Sequence, residues 1–322
     1  MKKKIRVAVL FGGKSAEYEV SIQSARNVIR ALDRGKYQVV PIKISKNGEC
    51  RWNTLKKCDV VFPVMHGTYG EDGAVQGLLK MFDMSFVGPG IFGAAASMDK
   101  DMTNRLFREA GLPKGKFLAL TQESKNNPKE IIKKLGLPLF VKPANLGSSV
   151  GITKVKRVAD LPPALKNAFQ YGRKILVEEF IPGREIECAI LGNENPIASV
   201  LGEVIPTHEF YSYEAKYIDP NGAHLKIPAE LPQAIANKIQ DLAIRAFKAL
   251  DLEGMARIDF FLTKDNKVML NEVNPIPGFT AISMYPKLWE ASGISHEKLI
   301  NSLIGLAIKR HKAEKKLKTS YQ

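Results

Sequence analysis

Two neighbouring stretches in the C-terminal part of the chain carry polar side chains at a spacing that suits metal binding. Arg257 and Asp259 lie two residues apart in one apolar run, and Glu272 and Asn274 lie two residues apart at the end of the next. Residues i and i+2 of a strand point to the same face, so each pair shares a face if these runs are strands. A hairpin across residues 263–267 would bring Asp259, Glu272 and Asn274 together. Such oxygen ligands suit Mg²⁺ or Mn²⁺ bound with nucleotide phosphates, and a surface ladder of charges is the alternative.

A second polar segment follows an apolar run in the middle of the chain. Lys142 ends this run, small and hydroxyl-bearing residues continue to Gly151, and the chain becomes apolar again at Ile152. Backbone N–H groups in such a loop approach phosphate oxygens closely, and the lysine adds a positive charge. The segment therefore predicts a phosphate-binding loop, with a plain hairpin turn as the alternative.

Two other glycine-rich segments resemble nucleotide-binding motifs but lack their spacing. The segment Gly12–Ser15 reads Gly-Gly-Lys-Ser, but the Walker pattern requires a further glycine where Ala8 stands. The segment Gly88–Gly93 matches G-x-G-x-x-G, but it lies far from the first strand and no acidic residue follows at about 20 residues. We reject a P-loop in the first and interpret the second as a tight connection.

Short apolar runs alternate with amphipathic stretches along the chain. Strands are predicted at Ile5–Leu10, Gln38–Ile44, Val60–Val64, Ser85–Val87, Leu139–Lys142, Ile152–Val155, Ile186–Leu191, Ala256–Leu262 and Val268–Glu272. Helices are predicted at Ser21–Leu32, Ala74–Met84, Met98–Ala110, Leu161–Tyr171, Gln233–Leu250, Tyr285–Ser292 and His296–His311. The alternation of strands and helices in the first part predicts a parallel sheet that is covered on both faces.

This order of elements divides the chain into three regions. Residues 1–87 form the N-terminal region, residues 88–177 a central region with the phosphate loop, and residues 178–322 a C-terminal region with the metal ligands. Within the last region, the polar stretch Pro206–Pro228 contains three tyrosines and little periodicity. Loops of this length in compact domains are usually functional or disordered. The aromatic content favours a loop that closes onto a bound molecule.

Composition and charge exclude several classes of protein. The 322 residues are 45% hydrophobic and 25% charged, and no apolar run approaches the roughly 18 residues of a membrane span. The net charge is +15, but many of the extra cations lie in Met1–Arg6 and Lys309–Lys318, which is typical of solvated tails. The three cysteines form no CxxC pair, and the apolar stretch Val7–Phe11 is too short for a signal peptide. We expect a cytoplasmic protein that binds neither nucleic acid nor membrane.

Ordered motifs run through nearly the whole chain. They are Leu10–Ser21, His66-Gly67 with Gly70–Gly73, Ser97–Lys100, Lys142–Gly151, Tyr213–Tyr217, Arg257–Asp259, and Asn271–Asn274 with Pro277–Thr280. In this order they resemble the D-alanine–D-alanine ligase family of the ATP-grasp superfamily. The resemblance implies an α/β fold with an N-terminal doubly wound parallel-sheet domain and two α+β subdomains that enclose ATP. One position departs from the family pattern, because Pro275 stands where a threonine is usual and removes a hydroxyl and a backbone donor.

The resemblance also implies a reaction. In this family ATP phosphorylates the carboxylate of one D-alanine, and the amine of a second attacks the D-alanyl phosphate, which yields D-alanyl-D-alanine for peptidoglycan precursors, ADP and phosphate. The implied metal is Mg²⁺ or Mn²⁺, with two ions per site, and ATP is a co-substrate. The nearest alternative is another carboxylate ligase such as a D-alanyl-D-lactate ligase, but the form of Tyr213–Tyr217 goes with the dipeptide ligases. Members of the family are commonly dimers, so we expect a homodimer.

The functional residues of the family carry over to matching positions. ATP would be bound by Lys100, Lys142, Gly147, Ser148, Ser149, Glu178, Glu179, Ile181, Glu185 and Lys216, and the metal ions by Asp259, Glu272 and Asn274. The first D-alanine would be bound by Glu17 near His66, and the second by Ser283. Arg257 and the N–H of Gly278 would stabilise the charge on the acyl oxygen. Ser148 and Tyr217 would hydrogen-bond towards Glu17 and close the site.

Overall fold

The computed structural model describes residues 3–124, 127–147, 150–206 and 222–318, and it arranges them around three β-sheets. The strands are β1 (Ile5–Gly12), β2 (Tyr37–Ile44), β3 (Val60–Pro63), β4 (Ser85–Phe86), β5 (Phe117–Thr121), β6 (Leu139–Pro143), β7 (Thr153–Val155), β8 (Lys174–Glu179), β9 (Arg184–Gly192), β10 (Ile197–Pro206), β11 (Ala223–Lys226), β12 (Gly254–Leu262) and β13 (Val268–Asn274). The helices are α1 (Tyr18–Ala31), α2 (Trp52–Leu55), α3 (Ala74–Met81), α4 (Ile91–Met98), α5 (Lys100–Glu109), α6 (Pro128–Leu135), α7 (Leu161–Phe169), α8 (Gln233–Ala249), α9 (Met284–Ala291) and α10 (His296–Glu314). Within these ranges no helix has the length and apolar character of a membrane span.

The N-terminal sheet is parallel and carries helices on both faces, as the sequence predicts. Its strand order is β2-β1-β3-β4, and each pairing is parallel. Alternate residues of β1 serve the two faces: Val7 and Val9 share a core with α1, whereas Ala8 and Leu10 share another with α3. A strand that is buried on both faces is the signature of a doubly wound sheet.

The central sheet is antiparallel, with the strand order β5-β8-β6-β7. The helices that precede it correct one prediction, because the predicted helix Met98–Ala110 is in fact the end of α4 followed by α5. The helical conformation is interrupted at Asp99. Its side chain accepts hydrogen bonds from the N–H groups of Asp101 and Met102 and so caps α5. This cap fixes Lys100 as the first residue of α5.

The third sheet is antiparallel, with the strand order β11-β10-β9-β12-β13. Its strands β10 and β11 show that the prediction of a loop over Pro206–Pro228 is wrong at both ends. Pro206 is the last residue of β10, and residues 223–226 pair with β10 from Pro206 back to Glu203. The strand β11 lies at the sheet edge and reads Ala-His-Leu-Lys, so its alternation of apolar and polar residues covers only four positions and gives a weak strand signal. Residues 207–221 lie outside the described part of the chain.

The C-terminal helices pack back onto the N-terminal sheet. Leu299, Leu303 and Ile304 of α10 lie in the same core as Val7 and Phe62. Near the end of α10, the buried side chain of Arg310 donates to the carbonyl of Gly88 at 2.7 Å and to that of Phe86 at 2.8 Å. The same guanidinium lies 3.0 Å from a carboxylate oxygen of Glu253. One side chain therefore ties β4 to the strand that leads into the predicted metal site.

Replacing Arg310 by methionine is expected to lower the free energy of unfolding by about 2–3 kcal/mol, because two buried carbonyls and Glu253 lose their donor. The matched control is Lys309→Met, since Lys309 pairs with Glu194 at the surface with both side chains about two-thirds exposed. That variant should lose less than about 1 kcal/mol. Urea unfolding of the two variants compares them directly, and an equal loss would show that burial of Arg310 contributes nothing.

Candidate functional site

One cavity of about 820 Å³ receives side chains from all parts of the fold. Its lining comes from α1 and the segment after β3, from the central sheet, and from the third sheet with the segment that follows β13. It contains every predicted site residue of the described part of the chain: Glu17, His66, Lys100, Lys142, Gly147, Glu178, Glu179, Ile181, Glu185, Arg257, Asp259, Glu272, Asn274, Gly278 and Ser283. The other four predicted residues, Ser148, Ser149, Lys216 and Tyr217, lie outside the described residues.

Two lysines lie where the predicted phosphate loop begins. The Nζ of Lys100 donates to the carbonyl of Leu146 at 2.6 Å, and its backbone N–H donates to the carbonyl of Ala144 at 2.9 Å. Lys142, near the end of β6, forms an ion pair with Glu178 on the adjacent strand β8. The start of α5 and the end of β6 therefore place two ammonium groups at one end of the cavity.

A third lysine, Lys114, lies close to Glu178 but does not line the cavity. It was not predicted as a site residue. Its Nζ donates to the carbonyl of Asn271 at 2.6 Å and lies 3.9 Å from a carboxylate oxygen of Glu178. Burial lowers the pKa of Lys114 to about 8, against the opposing charge of Glu178. Burial raises the pKa of Glu178, but Lys142 and Lys114 lower it by more, to about 2. Glu178 is therefore an ionised hydrogen-bond acceptor held between two lysines.

The predicted hairpin of β12 and β13 is present and brings Asp259 and Asn274 into contact. The pairing places Arg257 opposite Asn274, with a register shift between Ile258 and Phe260. Arg257 donates to both carboxylate oxygens of Asp259, from Nε at 2.8 Å and from Nη2 at 2.7 Å. The amide of Asn274 donates to Asp259 at 3.0 Å. The two strands therefore form the joint polar face that their i, i+2 spacing predicts.

Glu187 joins this polar face and was not predicted. Its carboxylate lies 2.9 Å from Nε of Arg257, across the pairing of β9 with β12. Burial lowers the pKa of Arg257, but Asp259 and Glu187 raise it well above its ordinary value. The signal was available in the sequence, because Glu187 stands two residues after Glu185 and so shares its face of the strand.

The oxygen ligands fit a divalent ion that is completed by a nucleotide. In the described ranges, no three His, Cys, Asp or Glu side chains form a metal site by themselves. Mg²⁺ usually keeps waters and takes only one or two carboxylates together with substrate phosphates. Asp259 and Glu272 supply two carboxylates on the cavity wall, and Asn274 adds an amide oxygen. This donor set matches that coordination.

The carboxylate of Glu17, directly before α1, also lines the cavity. A Cβ at Gly67 would come within 2.6 Å of this carboxylate, and one at Gly147 would lie 3.8 Å from it. Next to Gly67, Nδ1 of His66 lies 3.8 Å from a carboxylate oxygen of Glu71. Burial lowers the pKa of His66, but Glu71 raises it by more, so the net shift is upward. Glu17 thus lies beside both the turn after β3 and the first part of the predicted phosphate loop.

Comparison with known proteins reveals similarity over the full length. The family model described as "D-ala D-ala ligase C-terminus" matches residues 106–305, and "D-ala D-ala ligase N-terminus" matches residues 6–56 and 50–89. A D-alanine–D-alanine ligase from Oceanobacillus iheyensis is 48% identical, with 99% of each chain covered.

Solved structures show the same likeness. The D-alanine-D-alanine ligase from Coxiella burnetii has a TM-score of 0.88 and 38% identity, covering 97% of this chain and 96% of its own. A D-alanine–D-alanine ligase from Bacillus anthracis, solved with ATP, has a TM-score of 0.84 and 29% identity, covering 96% of this chain and 99% of its own. These structures confirm the predicted fold class.

Proposed function

The chain belongs to the D-alanine–D-alanine ligase family, and we propose that it joins two D-alanines into D-alanyl-D-alanine with ATP as co-substrate. The reaction proceeds through a D-alanyl phosphate, releases ADP and phosphate, and supplies a peptidoglycan precursor. One observation carries the proposal. The residues predicted for ATP, for metal and for both amino acids come from distant parts of the sequence, yet those in the described part line a single cavity.

ATP occupies the end of the cavity between the central and third sheets in this proposal. Lys100 and Lys142 hold the α- and β-phosphates. Glu178, Glu179 and Ile181 surround adenine, and Glu185 meets the ribose. The low pKa of Glu178 supports its place, because an ionised carboxylate accepts a hydrogen bond from the exocyclic amine of adenine. Gly147 and the predicted residues Ser148, Ser149 and Lys216 complete the phosphate contacts.

Asp259, Glu272 and Asn274 hold two Mg²⁺ or Mn²⁺ ions in this proposal. Bound ions supply positive charge that offsets the phosphates as the carboxylate of the first D-alanine approaches them. Neighbouring side chains orient the carboxylate of Asp259. Arg257 donates hydrogen bonds to both of its oxygens, and the amide of Asn274 donates to one of them.

The two amino acids occupy the end of the cavity near α1. Glu17 binds the ammonium of the first D-alanine near His66, and Ser283 binds the carboxylate of the second. Arg257 and the N–H of Gly278 stabilise the negative charge that develops on the acyl oxygen, which is the usual role of donors placed beforehand. Closure by Ser148 and Tyr217 towards Glu17 keeps water from the acyl phosphate.

A coupled assay of ADP release tests the proposal. ADP should form rapidly only when D-alanine is present, and mass spectrometry should find one D-alanyl-D-alanine for each ADP. With D-lactate added in equal amount, dipeptide should remain the main product at neutral pH. Predominance of D-alanyl-D-lactate would favour the alternative ligase, and ADP release that ignores D-alanine would contradict both.

The cellular setting and assembly form part of the same proposal. A reaction that uses ATP and builds a soluble precursor belongs in the cytoplasm. We expect a homodimer in which each subunit consists of the three predicted regions, residues 1–87, 88–177 and 178–322. Light scattering after size-exclusion chromatography measures the mass directly against the 35.7 kDa of one chain.

A further inference from the structure

Helix α1 makes two hydrogen bonds to one residue far along the chain. The hydroxyl of Ser24 accepts the backbone N–H of Phe279 at 3.2 Å, and the amide of Asn27 donates to the carbonyl of Phe279 at 3.0 Å. Ser24 and Asn27 lie three residues apart, so they occupy the same side of the helix. Both polar groups of the Phe279 backbone are therefore held by side chains of α1.

The bond from Asn27 continues into Ser283. The carbonyl of Phe279 and the N–H of Thr280 belong to one peptide unit, and this N–H donates to the hydroxyl oxygen of Ser283 at 2.9 Å. A second contact, 2.7 Å between the hydroxyls of Thr280 and Ser283, lies alongside. Hydrogen bonds in series polarise one another, so donation by Asn27 strengthens the bond that holds Ser283.

The bond from Ser24 acts on the neighbouring peptide unit, which joins Gly278 to Phe279. The hydroxyl of Ser24, fully buried, also lies 3.3 Å from Nε2 of His66, and His66 hydrogen-bonds the backbone of Ile276. Hydrogen bonds thus connect both ends of the segment Ile276–Phe279 to the N-terminal part of the fold. Gly278 lies between these two hydrogen-bonded residues, and a Cβ there would come within 2.8 Å of the Ser283 hydroxyl.

Phe279 itself cannot shift without cost. Its ring is completely buried, edge-on to Phe62 and Tyr285 and stacked on His296. The aromatic packing fixes where the residue lies, and the two bonds from α1 fix how its peptide groups are turned. Because α1 begins directly after Glu17, the same helix sets the separation between Glu17 and the Gly278–Ser283 segment.

We propose that Ser24 and Asn27 are positioning residues for the acceptor amino acid, which turn the peptide groups around Phe279 so that Ser283 and Gly278 face the second substrate. This inference rests on the proposed function and extends it, since neither residue is predicted to touch ATP, metal or the first D-alanine. The acceptor step should therefore respond to changes at these positions while nucleotide binding does not.

Asn27→Ala and Asn27→Asp separate hydrogen bonding from packing. Aspartate has nearly the shape of asparagine but cannot donate when ionised, and it faces a carbonyl, so it should impair the enzyme at least as much as alanine does. We expect the KM for the second D-alanine to rise about tenfold in both variants, which corresponds to the loss of a partly buried hydrogen bond, while the KM for ATP stays at the wild-type value. Ser24→Ala should have the same pattern.

The control is Asn237→Ala, which removes a hydrogen-bonded asparagine from the exposed face of α8. It should leave both KM values unchanged. Rates over a wide range of D-alanine concentration, fitted for two sites, give the values, and thermal melting with ADP shows that each variant is folded. Wild-type behaviour of Asn27→Asp, or an equal rise in the KM for ATP, would overturn the inference. Absence of dipeptide synthesis by the wild type would instead overturn the proposed function.

Discussion

Replacement of Glu272 by glutamine is expected to reduce kcat by at least about a hundredfold at saturating ATP, because in the proposed site this carboxylate helps to hold metal ions that would contribute several kcal/mol. Glu272 lines the cavity on the same strand as Asn274 and beside the Arg257–Asp259 pair. The substitution keeps the shape and removes one negative charge, so the hairpin should stay intact. The measurement is kcat during a titration with Mg²⁺ and, separately, with Mn²⁺.

The control for this prediction lies in the same hairpin. Asp265 stands in the turn between β12 and β13, more than half exposed, and pairs with Lys267 at 2.8 Å. Asp265→Asn also removes one negative charge from this hairpin, but at a position that does not line the cavity. The activity of this variant should therefore equal that of the wild type. Near-normal turnover of Glu272→Gln at saturating metal would remove Glu272 from the proposed metal site.

The parts of the site that the sequence predicts are those built from neighbours in the chain. Arg257 and Asp259 share a face because they are two residues apart, and the short turn at 263–267 leaves β13 little choice but to pair with β12. The alternating residues of β1 likewise predict a sheet covered on both sides. Local spacing is sufficient in each case, because strand geometry alone decides which side chains meet.

The parts that the sequence does not predict depend on contacts across the whole chain. Lys114 is one of two lysines in the short connection between α5 and β5, and only the approach of β13 and β8 gives it partners. Ser24 and Phe279 are separated by 255 residues, so no periodicity connects them. The strands β5, β8, β10 and β11 were also not predicted, and β11 has only four residues at a sheet edge. The break at Asp99 was missed because Met98–Ala110 was interpreted as one helix, although aspartate is a typical N-cap residue.

The second large effect is expected for Arg257→Lys, which should lower kcat by about a hundredfold to a thousandfold, the range for removing a donor to a developing oxyanion. Lysine keeps the positive charge but not the planar fork that bonds both oxygens of Asp259. The guanidinium plane is set by Asp259 and Glu187 together, and an ammonium on a flexible stem takes no such fixed orientation. The ground-state complex with ATP should change less than the transition state, so the KM for ATP should rise little.

A second arginine fork in the same sheet supplies the control for this last prediction. Arg184, at the start of β9, donates to both oxygens of Glu203 at 2.7 Å, but its side chain is 41% exposed and does not line the cavity. Arg184→Lys makes the same chemical change to the same kind of pair, so any loss of stability from breaking a fork appears in both variants. The measurement is the single-turnover rate constant, with a preformed complex of enzyme and ATP. A fall in this rate constant that is limited to Arg257→Lys therefore isolates the effect on the reaction. If both variants retain wild-type turnover, the charge of residue 257 is sufficient and its fork plays no part in stabilising the acyl oxygen.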